Sequence, residues 1–331
     1  MREPIPSAPS DFRGATTDRR DVLRAGLALS VGAMLGASGH ARASDASAAD
    51  ARLLPGFKVH KVKTSGATLH TVVGGSGPPL LLIHGAPLTH LSWFRVAPEL
   101  AKKYTVIAPD LRGYGDSSKP PDGEKHINYS KRAMAQDKID LMRHFGFDRF
   151  AVVGHDRGGR VAHRLALDHP NAVTRMAVLD IVPTYYLYTN VTKAFVDTYF
   201  HWFLFTRPAP FPENILLSNP EAYLGGAPAE LREEYLRVNK DPAVVHGMCE
   251  DYRASAGIDM EFDKADLDKK ITCPLLVLWA KNGAMGRMYD VLGIWKERGT
   301  QVTGAEMPGG HSFQETHPQE TLAQLLPFLA G

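Results

Sequence analysis

Several things that would settle a function quickly are scarce in this 331-residue chain. It has two cysteines, Cys249 and Cys273, in no spacing that a metal site uses; a disulfide would need an oxidising compartment, and two free thiols are the simpler expectation. Charge of one sign is not in excess: 38 basic against 36 acidic residues gives a net +2. Six arginines and four acids fall within residues 1–43, which leaves 32 of each sign in the body. A balanced body offers no footing for nucleic acid or an anionic membrane surface. No apolar run reaches the roughly 20 residues that a membrane span needs. Internal repeats and low-complexity tracts are lacking too.

What is there begins with an address. The stretch TTDRRDVLRAGLALSVGAMLGASGHARASDA pairs Arg19 with Arg20, follows them with a weakly apolar run from Ala25 to Ala37, and ends in the small-x-small site Ala41-Arg42-Ala43. It resembles a twin-arginine export signal, with a disordered basic leader as the plainer alternative. A periplasmic protein with a mature start near Ser44 is expected.

The body alternates short apolar runs with amphipathic helical patterns. PPLLLIH (78–84), YTVIAPD (104–110), RFAVVGH (149–155), TRMAVLD (174–180) and PLLVLWA (274–280) suit strands buried on both faces. Helical patterns at 129–146 and 159–170 lie between them, so the fold class is α/β with a mostly parallel doubly wound sheet. The rhythm breaks at Pro183, where an aromatic-rich, strandless stretch begins. An insertion after a strand's carboxyl end lands above the sheet, where α/β ligands bind. The expected organisation is therefore a leader (1–43), a core (53–182), a helical cap (183–250) and the rest of the core (251–331).

A serine is missing where one would be usual. GHDRGGRVAH (154–163) has the glycine–x–nucleophile–x–glycine form of a nucleophile elbow, with Asp156 at its centre. A simple helix N-cap is the bland alternative. The chain order of partners favours the elbow: Asp180 ends the next strand in VLDIVPT, and His311 lies in the glycine loop of EMPGGHSFQETHP. The run KNGAMG after PLLVLWA has no carboxylate, which leaves Asp180 to orient His311 unless it is only a turn residue. His317, beside Pro318, reads as a surface residue.

A carboxylate is already anionic at neutral pH and can displace a leaving group from saturated carbon without losing a proton. The resulting ester can be hydrolysed by water that His311 activates, with the backbone N–H groups of Ala86 (in HGAP) and Arg157 placed to hold the oxyanion. Asp156 thus points to hydrolytic dehalogenation or epoxide opening. Arg157 and Arg160, three apart at a helix start, suit a substrate that is itself a carboxylate, held bidentately; either could instead serve a structural salt bridge.

GHDRGGRVAHRLALDHP, together with LDIVPT, HWFLF, CEDYRA and GRMYDVLGIWK, resembles the fluoroacetate (haloacetate) dehalogenases of the α/β-hydrolase fold, from about residue 55 to the end. That resemblance implies Asp156 as nucleophile, Asp180 as acid, His311 as base, and Arg157 with Arg160 as the carboxylate clasp. It also implies His201, Trp202 and Tyr252 as the halide pocket. Imidazole, indole N–H and phenol O–H are fitting donors for a departing fluoride. The chain departs from the family at Ala86, where phenylalanine is usual and a wider pocket is expected. It departs again in HSFQE, in a shortened EAYLGGAPAELREEYLRV, and in carrying a leader. A small haloacid is the expected partner, without metal, organic cofactor, nucleic acid or stable membrane association, and with a homodimer admitted. An epoxide hydrolase, or an exported carboxylate-binding protein on a hydrolase scaffold, are the rival readings.

Overall fold

The computed structural model describes residues 48–224 and 226–331; the expected leader lies outside them. Eight strands form one sheet: β1 (Lys58–Lys63), β2 (Thr68–Gly74), β3 (Pro79–Ile83), β4 (Thr105–Pro109), β5 (Phe150–His155), β6 (Val173–Leu179), β7 (Leu275–Ala280) and β8 (Val302–Met307). Their spatial order is β1-β2-β4-β3-β5-β6-β7-β8. β1 and β2 run antiparallel at one edge, and every pairing from β4 to β8 is parallel.

The five apolar runs became β3 to β7 because both faces of the sheet are covered. In β3, Leu81 and Ile83 join the core on one face while Leu80 and Leu82 join the core on the other, as a period of two demands. All four are fully buried. The two antiparallel strands were not picked out from sequence. β1 reads KVHKVK and exposes most of its residues, so its alternation looks like solvated surface rather than strand.

From β3 the chain goes to β4 on one side and then to β5 on the other, so the order reverses at the carboxyl ends of β3 and β5. Such a switch opens a crevice where α/β proteins bind ligands. Between β6 and β7 no strand occurs among the described residues. Helices fill that interval instead, including Thr184–Thr189, Lys193–Tyr199, His201–Leu204, Phe211–Ser218, Ala229–Asn239, Pro242–Ala256 and Ile258–Ala265. The division expected at 250/251 falls inside the helix Pro242–Ala256, which nothing breaks before Gly257. Both cysteines are free thiols. Among the described residues, no helix is long and apolar enough to cross a membrane.

Candidate active site

β5 ends in a turn that local sterics leave little choice about. Asp156 sits at φ 47° and ψ −115°, a conformation that costs a non-glycine residue of order 1–3 kcal/mol and persists only where the surroundings impose it. The surroundings do impose it. A Cβ at Gly158 would stand 2.3 Å from the Ile83 carbonyl, and one at Gly154 would stand 2.5 Å from the Gly158 carbonyl. Glycines at 154 and 158 therefore let the helix Arg157–Asp168 press against β3 and β5, with Asp156 lifted onto the crevice.

The turn after β3 supplies the first contact: Ala86 N–H donates to Asp156 Oδ1 at 3.0 Å. Asp156 Oδ2 faces His311 Nε2 at 3.7 Å, and His311 Nδ1 donates to Asp180 Oδ2 at 2.6 Å. Asp180 is held in turn by the Ala280 N–H, on Oδ1 at 2.9 Å. The three residues expected from chain order are therefore brought together, from the ends of β5, β6 and the loop after β8. His317 lies elsewhere, against Thr316 at the start of the last helix.

Burial would raise the Asp156 carboxyl, but His311 and Arg157 outweigh it and hold the acid well below its ordinary range. Burial would likewise lower His311, yet the Asp156 and Asp180 carboxylates push it up to about 10. The resting site thus holds an anionic nucleophile beside an imidazolium. Stability drawn from that raised histidine is fully present below its ordinary 6.5 and is lost as pH climbs toward 10. Neutralising residue 156 removes one of the two carboxylates. Asp156→Asn is accordingly expected to bring the His311 ring titration, followed by NMR, down by at least a pH unit. An unchanged titration would mean that Asp156 does not govern this histidine.

His155 was not singled out from sequence, and it braces the base. Its ring lies 4.7 Å from that of His311, and its Nε2 donates to the His311 carbonyl at 2.9 Å. Burial pushes His155 down to about 4, so it stays neutral and adds no charge beside the imidazolium.

The arginines are partly committed to the protein, the alternative weighed for each. Arg157 is fully buried, and its fork already grips a protein carboxylate: Nε donates to Asp251 Oδ2 at 2.9 Å and Nη2 to Oδ1 at 2.7 Å. Nη2 also bonds Ser255 Oγ. Only Nη1 is left without a partner. Arg160 Nη1 donates to the Val182 carbonyl at 2.9 Å and to Thr184 Oγ1 at 3.1 Å, leaving Nε open. Each arginine thus spends part of its fork on the protein and keeps a buried nitrogen open, Nη1 on Arg157 and Nε on Arg160. Sequence could not show this, because Asp251 lies 94 residues away on a cap helix.

Both guanidinium groups lie against the Trp202 ring, at 5.3 Å for Arg157 and 4.5 Å for Arg160, and Arg157 is 4.1 Å from the Tyr252 ring. Trp202 and Tyr252 meet edge to face at 5.6 Å, with His201 5.9 Å from Tyr252. These three residues, Asp156 and His311 line one cavity of about 380 Å³, closed in addition by Ala86, Leu88, Tyr199, Tyr223, Leu224, Ala227, Tyr235 and Glu315. Arg160 instead lines an adjoining void of about 10 Å³ with Asp156, Asp180 and His311. Burial pushes His201 down to about 4, so its ring is a neutral donor. Tyr235 and Glu315, hydrogen-bonded at 2.6 Å, carry no sequence signal that would have marked them.

Two other clusters could each bring three ligand atoms to one ion, Asp50 with His70 and His90, and Asp122 with His246 and Glu250. Neither lines the cavity. The first is closed by its own ion pairs, Asp50 to His90 at 2.8 Å and to His70 at 3.1 Å.

An elbow nucleophile, an acid at the end of the next strand and a loop histidine, on an eight-stranded sheet of this order, define an enzyme of the α/β-hydrolase class. A family model described as the alpha/beta hydrolase fold matches residues 78–318. The crystal structure of ALR0039 from Nostoc sp PCC 7120 is similar at TM-score 0.80 and 48% identity, covering 82% of this chain and 98% of that one. A fluoroacetate dehalogenase from Burkholderia sp is 44% identical over 84% of this chain and 95% of its own length. A soluble epoxide hydrolase from Corynebacterium sp. (strain C12) is 32% identical over 82% of this chain and 96% of its own. The chain belongs to the fluoroacetate (haloacetate) dehalogenase family of the α/β-hydrolase fold.

Proposed function

We propose that this protein is a hydrolytic dehalogenase of small 2-haloacids, converting them to 2-hydroxyacids and halide. The observation that carries the reading is the split environment of Asp156: Oδ1 sits on the Ala86 N–H while Oδ2 faces His311. Oδ2 attacks C2 of the substrate, a C–O bond forms as the C–X bond breaks, and halide departs with the bonding pair. His201, Trp202 and Tyr252 are the donors that receive it. The substrate carboxylate takes the open donors, Arg157 Nη1 and Arg160 Nε.

The ester has no charge at residue 156, so the influence that keeps His311 protonated weakens and the ring becomes a base. His311 takes a proton from water, which adds to the aspartyl carbonyl; the oxyanion forms at Oδ1, where Ala86 N–H already waits. Collapse breaks the acyl C–O bond, the proton passes to the departing alkoxide, and Asp156 is regenerated with an oxygen from water. The sum is haloacid plus water giving hydroxyacid, halide and a proton. The Burkholderia relative, named for fluoroacetate, supports this substrate class.

Fluoride release from fluoroacetate, read with an ion-selective electrode alongside chloride release from chloroacetate, tests the reading. Release of either halide supports it. Epoxide opening is the second reading, favoured by the Corynebacterium relative and by Tyr199, Tyr223 and Tyr252 in the cavity wall. Hydrolysis of styrene oxide with no halide release from either acid would overturn the dehalogenase reading in its favour.

A further inference from the structure

The cavity is much larger than the substrate for which the family is named. A haloacetate has five non-hydrogen atoms and fills roughly 100 Å³ at interior packing density. The cavity holds about 380 Å³. The halide donors and Asp156 account for one part of its wall, and much of the rest is apolar: Ala86, Pro87, Leu88, Leu224 and Ala227. Position 86 matters most for where the space lies. Its N–H is bonded to the nucleophile, so its side chain, a methyl, stands in the wall beside the attacking carboxylate. The carbon under attack is the one that would bear a substituent.

We infer that the enzyme's preferred substrates are 2-haloacids with an apolar group of two or more carbons on the halogen-bearing carbon, which this cavity receives next to Asp156. The inference rests on the dehalogenase reading above and adds the substrate class. The reaction balances as before, with the C2–halogen bond replaced by a C2–oxygen bond and inversion at C2, so one enantiomer of each substrate is preferred. Each methylene buried against such a wall favours binding by about fourfold, and an ethyl group by roughly fifteenfold.

The test compares chloride release by the full chain from chloroacetate and from each enantiomer of 2-chlorobutanoate. The expected result is a kcat/KM for one 2-chlorobutanoate enantiomer at least equal to that for chloroacetate. Ala227→Phe, which fills part of the apolar wall, is expected to lower 2-chlorobutanoate turnover at least tenfold while chloroacetate changes less than threefold. Because chloroacetate reports intact sites, a variant that fails to fold lowers both rates. Inhibition of the unaltered enzyme by butanoate against acetate then decides, with butanoate expected to bind the tighter. Chloroacetate turnover with 2-chlorobutanoate below one-tenth of it overturns this inference and leaves the dehalogenase reading standing. No chloride from any of these acids overturns both.

Discussion

Asp156→Asn is expected to release no measurable halide, a loss of roughly 10⁴-fold or more, as for removal of a nucleophile elsewhere. Asparagine keeps the size of the side chain and its place on the strained turn, at φ 47°, so the fold should survive. What goes is the negative oxygen. An amide carbonyl is a poor nucleophile toward saturated carbon, and no other carboxylate in the cavity can replace it. Asp180 bonds His311 and the Ala280 N–H, and Glu315 is bonded to Tyr235. The companion variant separates the two halves of the reaction. His311→Gln should still be alkylated, because displacement needs no base, but the ester should not turn over. Mass spectrometry after incubation with chloroacetate should then show the intact protein heavier by the acid less its halide, on the peptide that contains Asp156. Halide release from Asp156→Asn at the normal rate would sink the mechanism.

The second large effect is structural. Asp251 accepts from Tyr114 at 2.7 Å, from Arg157 at 2.9 and 2.7 Å, and from Lys131. It is completely buried, as is Arg157, and Lys131 nearly so. Burial would raise the Asp251 carboxyl, but the two cations bring it down to about 2, so it stays charged across any working pH. Asp251→Asn leaves Arg157 and Lys131 without their shared partner; Asp259 stands 3.8 Å from Lys131. Burial pushes Asp259 up to about 6, which makes it a weak substitute as pH falls. Removing one partner of a buried pair typically costs about 3–5 kcal/mol. Urea unfolding should show a loss of that order, with halide release impaired because Arg157 packs against Trp202 and Tyr252. The exposed pair Arg232–Glu221 is the control, since exposed pairs contribute little. A loss for Asp251→Asn no greater than for Glu221→Gln would show that Asp251 is not what keeps Arg157 in place.

These two sites differ in how far they could be read beforehand. Asp156 and Asp180 follow the ends of strands that read as plain apolar runs, and a strand buried on both faces has few other sequences open to it. Their order along the chain was enough to pair them. β1 escaped because an edge strand needs only one buried face, and charged alternation looks like surface. The arginines were visible as a pair on one helix, but their state was not, since Asp251 and Thr184 reach them from separate segments of the insertion. His155 escaped for a related reason: its role comes from the 4.7 Å approach of His311, 156 residues further along the chain.

The nucleophile turn is a local matter. Glycines at 154 and 158, an aspartate between them and an apolar run before them leave one arrangement that avoids backbone clashes, so that part of the site was legible in ten residues. Which arginine nitrogens stay open, how neutral His155 and His201 are, and how much room lies beside Asp156 depend on helices from the insertion closing over the sheet. Burial and charge act through distance in space, and only the packed chain brings Asp251, Trp202, Tyr252 and the apolar wall around one carboxylate.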